Sequence, residues 1–161
     1  MRGVPFLIKA LASGFYVSYL PAHLFRKRPY TGAGLVGSLW GLLALRGLPE
    51  DPLREAAVLA GVFCIAVVVS DYAEVLLGKK DDPRIVIDEF LGYWITVSFF
   101  PRTPFILALG FVLFRGLDVI KPLGVRWMGE LPGGWGVVMD DVFAGLLANL
   151  ALRLIEWVHH L

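Results

Sequence analysis

The chain has 161 residues, enough for one compact domain and too few for two. It is 57% hydrophobic and 18% charged, with a mean hydropathy of +0.69. A soluble core cannot bury that much apolar side chain, so the composition points to an integral membrane protein. A net charge of +1 gives no bulk field for nucleic acid. The single cysteine, Cys64, excludes an internal disulfide and a cysteine metal cluster, and His23, His159 and His160 have no ligand spacing.

In chain order, residues 4–20 are apolar, interrupted by Lys9 and a glycine, and end at Pro21. This stretch is expected as an interfacial or half-inserted helix, kept in the mature protein because no clean small-x-small cleavage site follows. Arg26, Lys27 and Arg28 form the strongest basic cluster, which the positive-inside tendency places on the cytoplasmic side. Gly32, Gly34 and Gly37 then lead through Ser38 into an apolar run. A glycine-rich turn feeding a helix can offer N–H groups to a phosphate, or it can simply allow tight helix packing. Residues 46–54 read as a polar, proline-punctuated loop.

A long helical stretch begins at Glu55, with Asp71 and Glu74 on one face near its end, and stops at Gly78. The central helix is expected over about 85–99. Its start reads I-V-I-D-E-F-L-G-Y-W-I and puts Asp88 and Glu89 at the mouth of an uncharged run, with Gly92 one turn on. Solvated carboxylates at a helix N-terminus are the plain reading of such a pair. Loss of hydration in an apolar setting would instead call for a cation or proton. After a turn at 101–104 the chain climbs back through 105–117 into R-G-L-D-V-I-K-P, spacing Arg115, Asp118 and Lys121 three residues apart before Pro122. Residues 123–131, with Arg126 beside Trp127, read as lying along the interface. The last span, 137–155, has Asp140 and Asp141 near its start, then Gly145 and Asn149 at one-turn intervals from Asp141.

The expected fold is therefore all-α: a polytopic membrane bundle of about five embedded helices, plus an N-terminal interfacial segment and basic loop over 1–31. Residues 1–161 make one domain. Alternating the spans from the basic triplet puts Asp71, Glu74, Asp88, Glu89, Arg115, Asp118, Lys121, Asp140 and Asp141 on one membrane face. That face also carries Lys79, Lys80, Arg84 and Arg126, against Arg46, Arg54 and Arg102 on the other, which is the bias of a cytoplasmic side. Carboxylates without cysteine or histidine suit Mg²⁺ or Mn²⁺, and an arginine and a lysine beside such an ion make a phosphate site. No Cys-x5-Arg loop, Asp-x-Asp opening or P-loop is present. Carboxylates in membrane helices also mark small ion- or proton-coupled transporters. That alternative predicts charges spread through the membrane depth rather than gathered at one interface.

Three blocks carry a resemblance: I-V-I-D-E-F-L-G-Y-W-I at 85–95, F-V-L-F-R-G-L-D-V-I-K-P at 111–122 and G-G-W-G-V-V-M-D-D-V-F-A-G at 133–145. In this order and spacing the chain, from about 32 to 147, resembles phosphatidylglycerophosphatase A, a bacterial inner-membrane lipid phosphatase family. The glycine segment A-G-L-V-G-S at 33–38 departs from the family's P-G-T-x-G-S, lacking the proline and the threonine. The resemblance implies Mg²⁺-dependent hydrolysis of the terminal phosphomonoester of phosphatidylglycerophosphate at the cytoplasmic side of the membrane. Its partners would be that phospholipid and the bilayer. The expected metal ligands are Asp88, Glu89 and one or both of Asp140 and Asp141, with Asp118 a further ligand or the water-orienting base. Arg115 and Lys121 are expected to clamp the phosphate, with Gly34, Gly37 and Ser38 as a backbone cradle and Arg126, Arg84 and Lys79 attracting the headgroup and anionic lipid in general.

Overall fold

The computed structural model describes residues 3–24 and 32–159; the basic triplet Arg26, Lys27 and Arg28 and also Thr31 and His160 lie outside them. The described residues form helices and loops, with no strand. The N-terminal stretch expected as one helix is two, α1 (Gly3–Ala12) and α2 (Tyr19–Leu24). Ser13 causes the break. Its hydroxyl donates to the Lys9 carbonyl and accepts from the Tyr16 N–H, replacing helix bonds with local ones. Gly14, Phe15 and Tyr16 then take positive φ. Pro21 falls in the first turn of α2, where a missing N–H costs nothing. The turn is pinned to the segment leading into the central helix: Val86 N–H donates to the Ala12 carbonyl, and Ser18 Oγ donates to the Arg84 carbonyl.

Helix α3 (Ala33–Leu43) continues as a 3₁₀ turn over Ala44–Gly47. Helix α4 (Pro52–Leu77) starts three residues before the expected Glu55, because Asp51 Oδ1 accepts from the Arg54 N–H and Pro52 sits where its ring favours a helix start. Gly78 ends it in the left-handed conformation. The central helix, α5 (Ile87–Val97), is shorter than expected at both ends. It is followed by α6 (Pro104–Ile120), α7 (Leu123–Gly129) and α8 (Gly134–His159).

Asp71 and Glu74, expected on one helix face, both bind backbone. Asp71 Oδ1 accepts from the Gly134 N–H at the start of α8, and Glu74 Oε1 accepts from the Asp81 N–H. They close a helix and a turn.

Helices α5 and α8 run parallel and form the central contact. A Cβ on Gly145 would overlap the Gly92 carbonyl oxygen, and one on Gly92 would overlap the Phe114 ring and the Asp141 carbonyl oxygen. Backbone therefore touches backbone. One turn before this crossing stand Asp88 and Asp141; one turn beyond Gly145 stands Asn149. The Asn149 amide donates to the carbonyls of Ile95, Thr96 and Ser98, ending α5. Tyr93, Phe114, Val125, Ala144 and Ala148 fill the core around the crossing.

Of the five embedded helices expected, α4 alone among the described residues is long and apolar enough to cross a membrane by length and composition. Helices α3 and α5 have 11 residues each, about 16 Å against a hydrocarbon core of about 30 Å. Helix α8 has the length, at 26 residues, but carries Asp140, Asp141, Arg153 and Glu156. Large apolar side chains remain exposed on α1, α4, α6 and α8, among them Phe6, Ile65, Val75, Val112 and Leu150.

Candidate active site

The first turn of α5 has no side-chain cap. Its orphan N–H groups and partial positive charge favour acidic residues there. Asp88 and Glu89 occupy that turn, Asp88 buried and Glu89 half-buried. The glycine crossing brings buried Asp141 of α8 beside them, so that one carboxylate oxygen from each of Asp88, Glu89 and Asp141 lies within 4.8 Å of the others. Asp88 Oδ1 and Glu89 Oε2 are shielded from solvent and have no hydrogen-bond partner. Three like charges in a desolvated space with orphaned oxygens are costly unless a cation joins them. Three hard oxygens without sulfur or imidazole are the donor set of Mg²⁺ and similar ions, so the residues present fit such an ion.

Arg115, on α6, pairs with Asp118 one turn later at 2.8 Å and donates to Ser38 Oγ at 3.3 Å. Ser38 Oγ in turn donates to the Gly34 carbonyl at 3.0 Å. A Cβ on Gly34 would overlap Glu89 Oε1 and come 3.0 Å from Arg115 Nη2. The glycine segment thus packs its backbone against the Glu89 and Arg115 side chains at Gly34. Gly37 makes a different contact, with Val86, where a Cβ would also overlap. Of the two roles the segment could have, Gly37 serves packing and Gly34 lies at the carboxylates.

Asp140 is outside the three-carboxylate group. Its Oδ2 accepts from Lys121 Nζ and its Oδ1 from the Asp141 N–H at 3.0 Å. Lys121 caps α6 in the left-handed conformation, φ 46°, an unusual backbone for lysine and one often found at functional positions. Arg115 and Lys121 therefore hold different carboxylates, Asp118 and Asp140, in this structure.

The loop ahead of α5 is held by Asp82. Its carboxylate accepts from the Arg84 N–H, Nε and Nη2 at 3.0, 2.7 and 2.8 Å. Burial raises the Asp82 pKa, but these bonds and the Arg84 charge outweigh it and hold the group below the ordinary aspartate value. The Arg84 guanidinium also lies over the Tyr19 ring at 5.4 Å. This clamp was not singled out from sequence, although D-x-R in a turn is a short-range signal for it. Arg126, on α7, is exposed. It lines a cavity of about 370 Å³ that also includes Lys80, Asp81, Lys121, Glu130 and Asp140. Lys80, Asp81 and Glu130 were not anticipated as site residues; in sequence they look like any solvated loop charge.

The family model for phosphatidylglycerophosphatase A matches residues 10–156. A phosphatidylglycerophosphatase A of Escherichia coli is 37% identical over 134 residues, 79% of this chain and 74% of the relative. One of Haemophilus influenzae is 32% identical, covering 93% of this chain and 89% of the relative. A Bacteroides thetaiotaomicron protein, named as a candidate phosphatidylinositol-3-phosphatase, is 32% identical over 98% of this chain and 99% of its own. No solved structure matches the chain.

Proposed function

The chain belongs to the phosphatidylglycerophosphatase A family and is a phosphatase, and we propose that its substrate is phosphatidylglycerophosphate, hydrolysed to phosphatidylglycerol and phosphate. The observation that carries the reading is the group Asp88, Glu89 and Asp141, with its two orphaned oxygens and Arg115 nearby. In it, Asp88, Glu89 and Asp141 would hold Mg²⁺. When bound, that ion supplies charge neutralisation for a phosphate dianion and for the oxygen that leaves.

The chain's own groups do the rest. Arg115 has a planar fork of donors and is oriented by Ser38, so it would bind two phosphate oxygens and hold them as charge develops. Lys121 would bring a second positive charge from the Asp140 side, with Asp140 steering its ammonium. Gly34 keeps the backbone of α3 close enough to close the wall of the site. Asp118, tied to Arg115 through Oδ2, would orient the attacking water and take one of its protons on Oδ1. The water oxygen bonds to phosphorus as the bond to the glycerol oxygen breaks; that oxygen takes up a proton from solvent water, and Asp118 returns the proton it took to solvent.

The setting of this chemistry is the cytoplasmic face of the bacterial inner membrane, with the chain crossing the bilayer several times. The apolar α4, the exposed apolar side chains and the lysine and arginine bias support it. The acyl chains of the substrate would stay in the bilayer while its phosphate meets the charged end of the bundle.

Phosphate release from phosphatidylglycerophosphate in detergent micelles tests the proposal. Release that needs Mg²⁺ and stops with excess chelator is expected. Release that persists under chelator would remove the metal from the reading. Faster release from phosphatidylinositol 3-phosphate would move the substrate to the lipid in the name of the Bacteroides relative.

A further inference from the structure

The cavity beside the carboxylates has no part in the chemistry above, apart from Lys121 and Asp140 in its wall. At about 370 Å³ it is within the range of small-ligand sites. Its charges divide into two sets. Lys121 and Asp140 neutralise each other. Lys80 and Arg126 make no ion pair and no side-chain hydrogen bond among the described residues, and the same is true of Asp81 and Glu130 at the cavity wall.

We propose, on the strength of the lipid phosphatase reading, that this cavity binds the part of the headgroup between the scissile phosphate and the diacylglycerol: a phosphodiester with one free hydroxyl on the glycerol beside it, with Lys80 and Arg126 as its specificity-determining residues. The mixed lining selects this chemistry. A bare anion would gain from Lys80 and Arg126 but meet Asp81 and Glu130. An uncharged polyol would satisfy the carboxylates and leave two cations without a partner. A hydroxylated phosphodiester serves both, its anionic oxygens facing the cations and its one free O–H donating to a carboxylate. The order of groups also fits. Asp140 joins the two regions through the chain, since it lines the cavity and immediately precedes Asp141 of the carboxylate group. A lipid with its terminal phosphate at the carboxylates would pass Lys121 and place the next phosphate toward Lys80 and Arg126.

The test compares the natural chain with the double variant Lys80→Ala/Arg126→Ala in mixed micelles of phosphatidylglycerophosphate. KM is expected to rise about tenfold, as for two partly exposed charge-assisted contacts, with kcat unchanged. Lys79, expected from sequence to attract the headgroup, is outside the cavity lining, and Lys79→Ala should leave KM as it was. Inhibition by inorganic phosphate should be the same in the double variant, because free phosphate binds at Arg115. An equal rise in KM for Lys79→Ala would mean general attraction to the anionic surface, and would overturn the proposal. Weakened phosphate inhibition would place the scissile phosphate in the cavity and overturn it as well. An unchanged KM in the double variant defeats the cavity assignment and leaves the lipid phosphatase reading intact. A natural chain that releases no phosphate defeats both.

Discussion

The two ends of the helix bundle both bury charged side chains, and they use them in opposite ways. At the end where α4 begins, Glu55 and Arg102 are bonded to backbone. Glu55, 4% exposed, accepts from the Phe99 N–H at 3.2 Å. Arg102 donates to the carbonyls of Leu45, Leu48 and Pro49, which end the 3₁₀ turn and begin the next loop. The neutral amide of Asn149 does the same for the last turn of α5. At the other end Asp88, Glu89 and Asp141 face one another, and two of their oxygens have no partner. A charge that finishes a helix needs no ligand, whereas a cluster of like charges leaves its energy to be balanced by something that binds.

This contrast predicts opposite responses to mutation. Asp141→Asn should reduce phosphate release by about a hundredfold or more, as for loss of one preorganised electrostatic group. Thermal unfolding in detergent should show the variant at least as stable as the natural chain, because one of three confronted charges is gone. A variant that loses stability along with activity would place Asp141 among the structural charges.

Arg102→Ala should do the reverse. It leaves buried carbonyls short of donors, so stability should fall by about 1–3 kcal/mol, while kcat of the folded enzyme stays the same. Denaturant or thermal unfolding read beside turnover separates the two. A loss of kcat without loss of stability would join the far end to the chemistry.

The smallest effect concerns the Asp82–Arg84 clamp. Asp82 titrates below the ordinary aspartate value when folded. It therefore contributes stability above about pH 4, the unfolded aspartate value, and loses it as the pH falls through the folded one. Asp82→Asn should flatten this acid limb of the stability curve and change little at neutral pH. The limb is measured by unfolding at stepped pH, and an unaltered limb in the variant would remove Asp82 as its source.

Much of the site was legible along the chain because its residues are close in sequence. Asp88 and Glu89 are adjacent, Arg115 and Asp118 are one turn apart, and Asp140 and Asp141 are neighbours at the head of a long helix. Local spacing could not say which member of an acidic pair turns inward. Asp140 goes to Lys121 and Asp141 to the carboxylate group, a choice made by the rotation of α8 against α5. Asp71 and Glu74 looked like Asp88 and Glu89 in sequence. Only the positions of Gly134, distant in the chain, and of Asp81, in the turn after α4, make them caps.

The fold divides in the same way. Sequence alone determined that the chain is helical and where α4 and α6 stop, since Gly78 and Pro122 act through their own backbone geometry. It also determined the chemical class of the site, because residue types carry that. Tertiary structure decided the rest. It pinned the turn between α1 and α2 to Arg84 and Val86. It turned Gly92 and Gly145 from permissive residues into a contact between two backbones, and it set that contact one turn from Asp88 and Asp141. The physical reason is range: caps, breaks and charges are properties of a few consecutive residues, but which carboxylates meet depends on how closely two helices approach, and that is settled by side chains on both.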